Sequence, residues 1–362
     1  NHDLKMIKEW SFNWKMSFNP DPLKQAIEVL FSKKRNIVHH SDIYFNGNIV
    51  TRSNSQKHLG MILDDKIDFN EHISLKLSKA RKGVGLLQTL AKYIPRHSLL
   101  TIYKCFIRPH LDYGDVVYDK PNNESFTKSI ESIQYNAALA ITGTIRGTST
   151  EKLYQELGLE YLSSRRWFRR LSTFYKIFKR KSPFYLYSLI PKINVNRSSR
   201  TKDNIPLLRT RTETFKNSFF PSAMEQWNKL DINIRESYSL PSFKKSLLKC
   251  IRPTPNSIYN INNHNGLKFL TRLRLSFSHL REHKSKHNFQ DTIDPFCNCG
   301  VEIETTKHCQ NFDQQRLVLL NTLSNIDNSI INLNDSDMTH LLLFGKPSFN
   351  TYINGHLSLN EY

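Results

Sequence analysis

From Glu71 onward the apolar positions Ile73, Leu77, Ala80, Val84, Leu87, Ala91 and Ile94 recur at alternating steps of four and three. That spacing draws one apolar seam along a single helix. Lys79 and Lys82 fall opposite the seam and Lys76 on its flank. Upstream the period is two. "QAIEVLFS" alternates as a strand, "DIYFNGNIV" predicts a hairpin turning at Asn46-Gly47 in the type I′ manner, and "KHLGMILD" predicts a further strand. Residues 25–64 are thus expected to form a small antiparallel sheet. "SFNPDPLK" before them predicts a turn, because Pro20 and Pro22 exclude helix while Asn19 and Asp21 suit tight bends. Residues 1–16 predict the end of a helix, with Leu4, Ile7, Trp10 and Trp14 on one face.

Downstream the pattern stays helical. A second helix is expected over about 96–108, ending at Pro109, and a third over about 124–141, between Asn122-Asn123 and Gly143. A fourth lies between the capping box Thr148-x-x-Glu151 and the stop Gly158. The sharpest amphipathic stretch is "SSRRWFRRLSTFYKIFKRK". At about 100° per residue, Arg165, Arg166, Arg169, Arg170, Lys176, Lys179, Arg180 and Lys181 share one broad face. Trp167, Phe168, Leu171, Phe174, Tyr175 and Phe178 share the other, with Ile177 out of place. Three readings of the basic face stay open: a solvated side of a docked helix, a track for nucleic acid, or a membrane-surface face. Residues 191–206 and 252–265 are polar, aperiodic and rich in Asn, Ser or Pro, and read as linkers; the last block reads as mostly helical to about 325. The fold class expected is α+β, a small antiparallel sheet followed by a mostly α-helical remainder, with divisions at 1–70, 71–145, 146–255 and 256–362.

Charge changes the picture most. Fifty-two Lys and Arg oppose thirty-two Asp and Glu, a net +20 and a pI near 9.7. A field of that sign attracts polyanions, most simply nucleic acid. No stretch reaches the roughly 18 apolar residues of a spanning helix, so no membrane partner is expected. The N-terminus lacks the apolar core of a signal peptide, and five cysteines make no disulfide framework. The expectation is a reducing compartment, cytoplasm or nucleus, without secretion. Twelve glycines leave no phosphate-cradling loop of the nucleotide-binding kinds. The chain opens at Asn1 already in a helical pattern, which predicts a piece of something longer.

The acids offer little catalysis. "MILDD" ends an apolar strand in Asp64-Asp65, as polymerases present carboxylates to two magnesium ions, but no upstream strand supplies a third acid. Followed by Lys66, the pair reads as a solvated turn. "HLDYGD" (110–115) holds two carboxylates without a partner acid. Near the C-terminus, Cys297, Cys299, His308 and Cys309 fall within thirteen residues, a candidate metal cluster.

The segments "NWKMSFNPDPLKQAIEVLFSKK", "QKHLGMILD", "YKCFIRPHLDYGDVVYDKP", "IESIQYNAALAITGTIRGTSTEKLYQELGLEYLSSRRWFRRL" and "LTRLRLSFSHLREHK" together resemble, in order, the reverse transcriptases of jockey-type non-LTR retrotransposons. The resemblance implies RNA-templated DNA synthesis with magnesium and deoxynucleotides, on an RNA template and a DNA primer. It also implies that the metal-binding aspartates precede this chain, so that it is a C-terminal piece, inactive alone, whose partners include the upstream part of the same polymerase. No magnesium is expected on this chain. By the resemblance, residues 13–32 match the palm element after the catalytic hairpin, and Lys24 is the candidate general acid toward pyrophosphate; the plainer reading is a surface lysine before a strand. By the resemblance "KHLGMILD" matches the primer grip, a hairpin whose tight turn holds the primer's 3′ end, where Gly60 admits a close backbone approach and Lys57 and His58 meet phosphate; the plainer reading is a core strand with a bulge. The helices from Glu71 match the thumb, with Lys76, Lys79 and Lys82 on phosphates, and Arg165, Arg166, Arg169, Arg170, Lys176 and Arg180 extend the basic surface. Cys297 and Cys299 match the first half of a family Cys/His motif. The adjacent His308 and Cys309 depart from its His-x(4)-Cys half, which implies a damaged zinc site with free thiols; the alternative keeps zinc with His287 or a water filling in. Rival functions are a stand-alone nucleic-acid-binding protein and a decayed product without a role.

Overall fold

A computed structural model describes residues 2–18, 26–34, 41–192, 204–251 and 264–275, together with the single positions 314, 317, 318 and 321. Asn19, Lys24, His287, Cys297, Cys299, His308 and Cys309 lie outside the described residues, and with them the general-acid and zinc expectations.

Helix α1, His2–Asn13, opens the chain with Trp10 and Trp14 exposed. Among the described residues six short strands follow: β1 Ile27–Glu28, β2 Tyr44–Phe45, β3 Asn48–Ile49, β4 Thr51–Arg52, β5 Ser55–His58 and β6 Met61–Asp64. They do not make the single antiparallel sheet that residues 25–64 predict. β2–β3 and β5–β6 are separate antiparallel hairpins, and β1 pairs β4 in parallel over two residues. The eight-residue strand expected at 25–32 contracts to Ile27–Glu28, and Phe31 beside it is exposed. Ribbons this narrow have little apolar face to bury and lean on their surroundings. The first turn is as expected: Asn46 and Gly47 both have positive φ, as type I′ requires. "KHLGMILD" is not the one strand its periodicity predicts but a hairpin with a tight turn, as the resemblance implies. It folds back at Leu59 and Gly60, whose φ values of 46° and 80° repeat the same geometry. A leucine there is strained, which is why periodicity alone does not reveal the turn.

The helices carry the core. α2, Asn70–Leu90, buries Ile73, Leu77, Ala80, Val84 and Leu87, the seam read from the sequence, with Ala91 just beyond its end. α3, Arg96–Ile102, widens into a π-type turn over Tyr103–Ile107 and continues as α4, Arg108–Asp112. Pro109 therefore does not end the helix. The wide turn before it leaves Pro109 at the start of the next turn, where a missing N–H costs nothing. Gly114, at φ 70°, leads into α5, Asp115–Tyr118. α6, Glu124–Thr142, is capped by the Asn123 side chain, which accepts from the Phe126 amide at 2.8 Å, and stops at Gly143 with φ 68°. α7, Thr150–Leu157, stops at Gly158 as expected, but the capping box does not form: Ser149 holds the N-cap, and the Thr148 hydroxyl donates to the Ile145 carbonyl instead. α8 spans Leu162–Phe178. Beyond it lie α9 Phe184–Ser188, α10 Glu213–Asn217, α11 Phe219–Asn228, α12 Ile232–Arg235, α13 Leu240–Ile251 and α14 His264–Arg274, the last beginning inside the stretch read as a linker.

Two apolar cores meet along α8. The first gathers α2 to α7 and takes Leu162 from the start of α8. The second takes Leu171, Phe174, Tyr175 and Ile177 from the same helix and closes them against Met224 and Trp227 of α11 and Phe243 and Leu247 of α13. Ile177, out of place on the helical wheel, is buried there because α8 is covered over a broader arc than its aromatic stripe. Trp227 lies amid the rings of Phe174, Phe178 and Phe243, at centroid distances of 5.4, 5.3 and 5.6 Å. α14 then docks on the first core. Arg272 donates to the Gly143 carbonyl at 2.7 and 2.9 Å and Lys268 to the Ala91 carbonyl at 3.4 Å, so two helix C-termini receive cations. Beneath them Glu156 is buried between Arg96, at 3.1 Å, and Arg274, at 3.5 Å.

Candidate nucleic-acid interface

The segment from Arg108 to Asp119 is the hub of the site. On one side it braces the β5–β6 hairpin. The Tyr113 hydroxyl donates to the Leu59 carbonyl at 2.5 Å, and a Cβ on Gly60 would come within 3.2 Å of that hydroxyl oxygen. A Cβ on Gly114 would stand 2.7 Å from Met61 Sδ. Both glycines thus combine a positive φ with a close approach that a side chain would block. The Lys76 ammonium sits 5.0 Å from the centre of the Tyr113 ring.

Basic side chains gather at this junction from three elements: the cations Lys57 on β5 and Lys76 and Lys79 on α2, and the imidazole of His110 on α4. Burial first, then Lys79 and Lys57, hold Lys76 below the ordinary lysine range. Burial, then Lys76 and Lys79, hold His110 below the ordinary histidine range. The structure brings Lys57 and Lys79 of the sequence expectation within electrostatic reach of Lys76. His58 and Gly60 are exposed at the hairpin's end, and Lys82 is exposed one turn further along α2. Sequence reasoning missed His110 and Tyr113. "HLDYGD" reads for its two carboxylates, and nothing local to it announces the contact of Tyr113 with the hairpin.

His72 ties the hairpin to α2. Its buried ring accepts the Ile62 amide at Nδ1, 3.2 Å, and meets the Tyr118 ring edge-on at 5.1 Å. Burial and then Lys76 hold its pKa below 6.5. A base whose folded pKa is lowered contributes its full stability above the unfolded value and loses it as pH falls below that value. The melting temperature is therefore expected to fall between pH 7.5 and 5.5. His72→Asn keeps an acceptor for Ile62 but cannot protonate, so its melting temperature should fall less over the same range. Parallel curves for the two proteins would refute this role.

The other side of the hub corrects the reading of α8. Arg165 reaches Asp112 at 3.0 Å, and Arg169 reaches Asp112 at 2.8 Å and Asp115 at 2.9 Å. Arg166 donates to Asp119 at 3.0 Å and to the Leu111 carbonyl at 2.9 Å; Arg170 pairs with Asp119 and donates to Gln226 at 2.8 Å. Arg166 and Arg170 are only 5% and 3% exposed. These four arginines form an internal lattice with aspartates spaced i, i+3 and i+7 on the hub, and do not form a solvent-facing track. Lys176 and Arg180, toward the other end, are exposed. Burial pushes the Asp112 carboxyl up, but hydrogen bonds and charge from Arg169 and Arg165 leave it below the usual range.

The acids of this region do not fit a divalent metal. Asp64 accepts the amides of Lys66, Asp68 and Phe69 at 3.1, 2.9 and 2.6 Å and so organises the turn into α2, while Asp112, Asp115 and Asp119 hold arginines. Among the described residues, no three His, Cys, Asp or Glu side chains converge on a metal position, and no helix is long and apolar enough to cross a membrane.

No family profile matches the chain, and no solved structure does. Curated proteins do. The chain is 27% identical over 157 residues to a probable RNA-directed DNA polymerase from transposon X-element of Drosophila melanogaster, a match covering 42% of this chain and 16% of that protein. It is 28% identical over 118 residues to the RNA-directed DNA polymerase from mobile element jockey of Drosophila funebris, and 28% over 120 residues to that of Drosophila melanogaster; each match covers 32% of this chain and 12% of the relative. The chain thus matches less than a fifth of the length of these relatives. Within that span, the resemblance read from the sequence is a real relationship: the chain is related to a part of the RNA-directed DNA polymerases of jockey-type mobile elements.

Proposed function

We propose that this chain holds template–primer nucleic acid for an RNA-directed DNA polymerase, with 1–70 as the end of the palm and 71–145 as the thumb, and that it supplies grip without the metal-bearing acids. The observation that carries this reading is the junction of the β5–β6 hairpin with α2 and α4. There a tight turn with an exposed glycine, backed on one side by Tyr113, stands beside Lys57, Lys76, Lys79 and His110. Lysines so placed neutralise phosphates without reading bases, which suits an enzyme that must copy any sequence. The structural duties of Asp64, Asp112 and Asp115 support the absence of metal chemistry from this part. In this reading, magnesium-bound catalysis belongs to another region of the polymerase.

The test is binding of the purified chain to a labelled RNA–DNA primer–template across salt concentrations. Affinity is expected to fall steeply from 50 to 200 mM salt, by about 3.5-fold for each phosphate neutralised. Affinity flat in salt would refute the reading.

A further inference from the structure

A second surface lies on the other core, at the far end of α8. From Tyr161 to Lys202 the chain holds no Asp or Glu. The arginines at the start of α8 are answered by the aspartates of the hub. Among the described residues, Lys179, Arg180 and Lys181 at its end meet no carboxylate. Arg180 has φ 55°, a left-handed position that glycine occupies at lower cost. The chain reverses there, with the Lys181 amide bonded to the Lys176 carbonyl at 2.7 Å. This reversal lays the Arg180 guanidinium 4.6 Å from the centre of the Tyr187 ring. Phe184 follows, its ring centroid 6.3 Å from that of Tyr187. Phe184 and Tyr185 are 72% and 67% exposed.

Exposed rings beside unanswered cations are the composition of a single-strand platform, where bases stack on aromatic faces and cations follow the backbone. Duplex has no use for such rings, because its bases are already stacked. We propose that Lys179, Arg180, Lys181, Phe184, Tyr185 and Tyr187 form a binding site for single-stranded nucleic acid, separate from the hairpin–thumb junction. Phe184 and Tyr185 are its stacking faces, and Tyr187 is the support on which Arg180 rests. The end of α8 that carries the site lies some 14 Å from Arg169 at the hub, the rise of the nine residues to Phe178 at about 1.5 Å each.

The experiment uses the full chain, a labelled 20-nucleotide oligo(U), the RNA–DNA primer–template and vesicles containing phosphatidylserine. The variant is Phe184→Leu/Tyr185→Leu, which keeps apolar bulk at two exposed positions while removing both rings. Its circular dichroism and melting temperature should match the parent. Oligo(U) affinity is expected to fall about tenfold or more, with primer–template affinity unchanged within twofold and an unaltered salt slope. In the parallel variant Lys57→Ala/Lys76→Ala/Lys79→Ala the order should reverse, so failure at one site does not count against the other. Unchanged oligo(U) binding in the leucine variant would overturn the proposal. So would vesicle binding that survives in that variant while oligo(U) binding is absent from the parent, because leucines serve a membrane surface as well as rings do.

Discussion

Asp119→Ala is expected to destabilise the fold by about 3–5 kcal/mol, the cost of removing one partner from a buried ion pair. Asp119 answers two guanidinium groups at once, those of Arg166 and Arg170, at the seam between the two cores. Without it, two buried cations share a site that keeps the Leu111 carbonyl, Asp115 at 4.0 Å, Gln226 and the rings of Tyr118 and Phe126 over Arg166, but no close carboxylate. Urea unfolding read by tryptophan fluorescence measures the loss, and the melting temperature should drop by roughly 6–20 °C. The corresponding exposed pair is a control. Glu124→Ala removes the partner of Lys128 in full solvent and should leave the urea midpoint where it was. A further variant separates charge from packing. Asp119→Leu combined with Arg166→Met and Arg170→Met replaces the ions by apolar bulk and should recover much of the stability. If Asp119→Ala shifts stability by less than about 1 kcal/mol, the arginines are solvated and the description of the lattice fails.

That lattice marks the limit of what the sequence makes legible. Local features read well because their cause lies within a few residues. The seam of α2 follows from a period near 3.5, the hairpin at Asn46-Gly47 from a backbone that only certain residues adopt, and the stops at Gly143 and Gly158 from the same constraint. The arginines of α8 read as a basic face because no acid lies on their own helix. Their partners are some fifty residues earlier, and nothing local to either segment announces the match. Pro109 reads as a stop because a proline breaks a regular α-helix, whereas the π-type turn before it is set by packing: the same stretch puts Ile107 where a Cβ on Gly83 would approach to 2.9 Å. The candidate interface was legible by parts. Lys57, Lys76 and Lys79 are visible as cations on plausible elements. Their convergence, and the roles of Tyr113 and His110, depend on the hairpin folding onto the hub, a tertiary contact that leaves no periodic trace.

Neutralising the junction should produce a second large effect, opposite in kind to the first. In Lys57→Ala/Lys76→Ala/Lys79→Ala, three phosphate contacts are lost, and each contributes about 0.9 to the slope of log affinity against log salt. Primer–template affinity should therefore fall by about a hundredfold near 0.15 M salt and by more than about a thousandfold near 0.05 M, with the slope shallower by about 2.7. Lys128→Ala, on the exposed face of α6, should change affinity by no more than about twofold. Stability gives an independent check. Lys76 is depressed by burial and by its two neighbours, so in the free chain these cations repel and load the fold. Removing them should leave the melting temperature unchanged or raise it. A damaged fold would lose stability and binding together. A site built for a polyanion loses binding while the unbound fold relaxes, because the ligand is what balances its charge. Should the triple variant bind primer–template as the parent does, the cations at the junction are ordinary surface charge and the grip lies elsewhere.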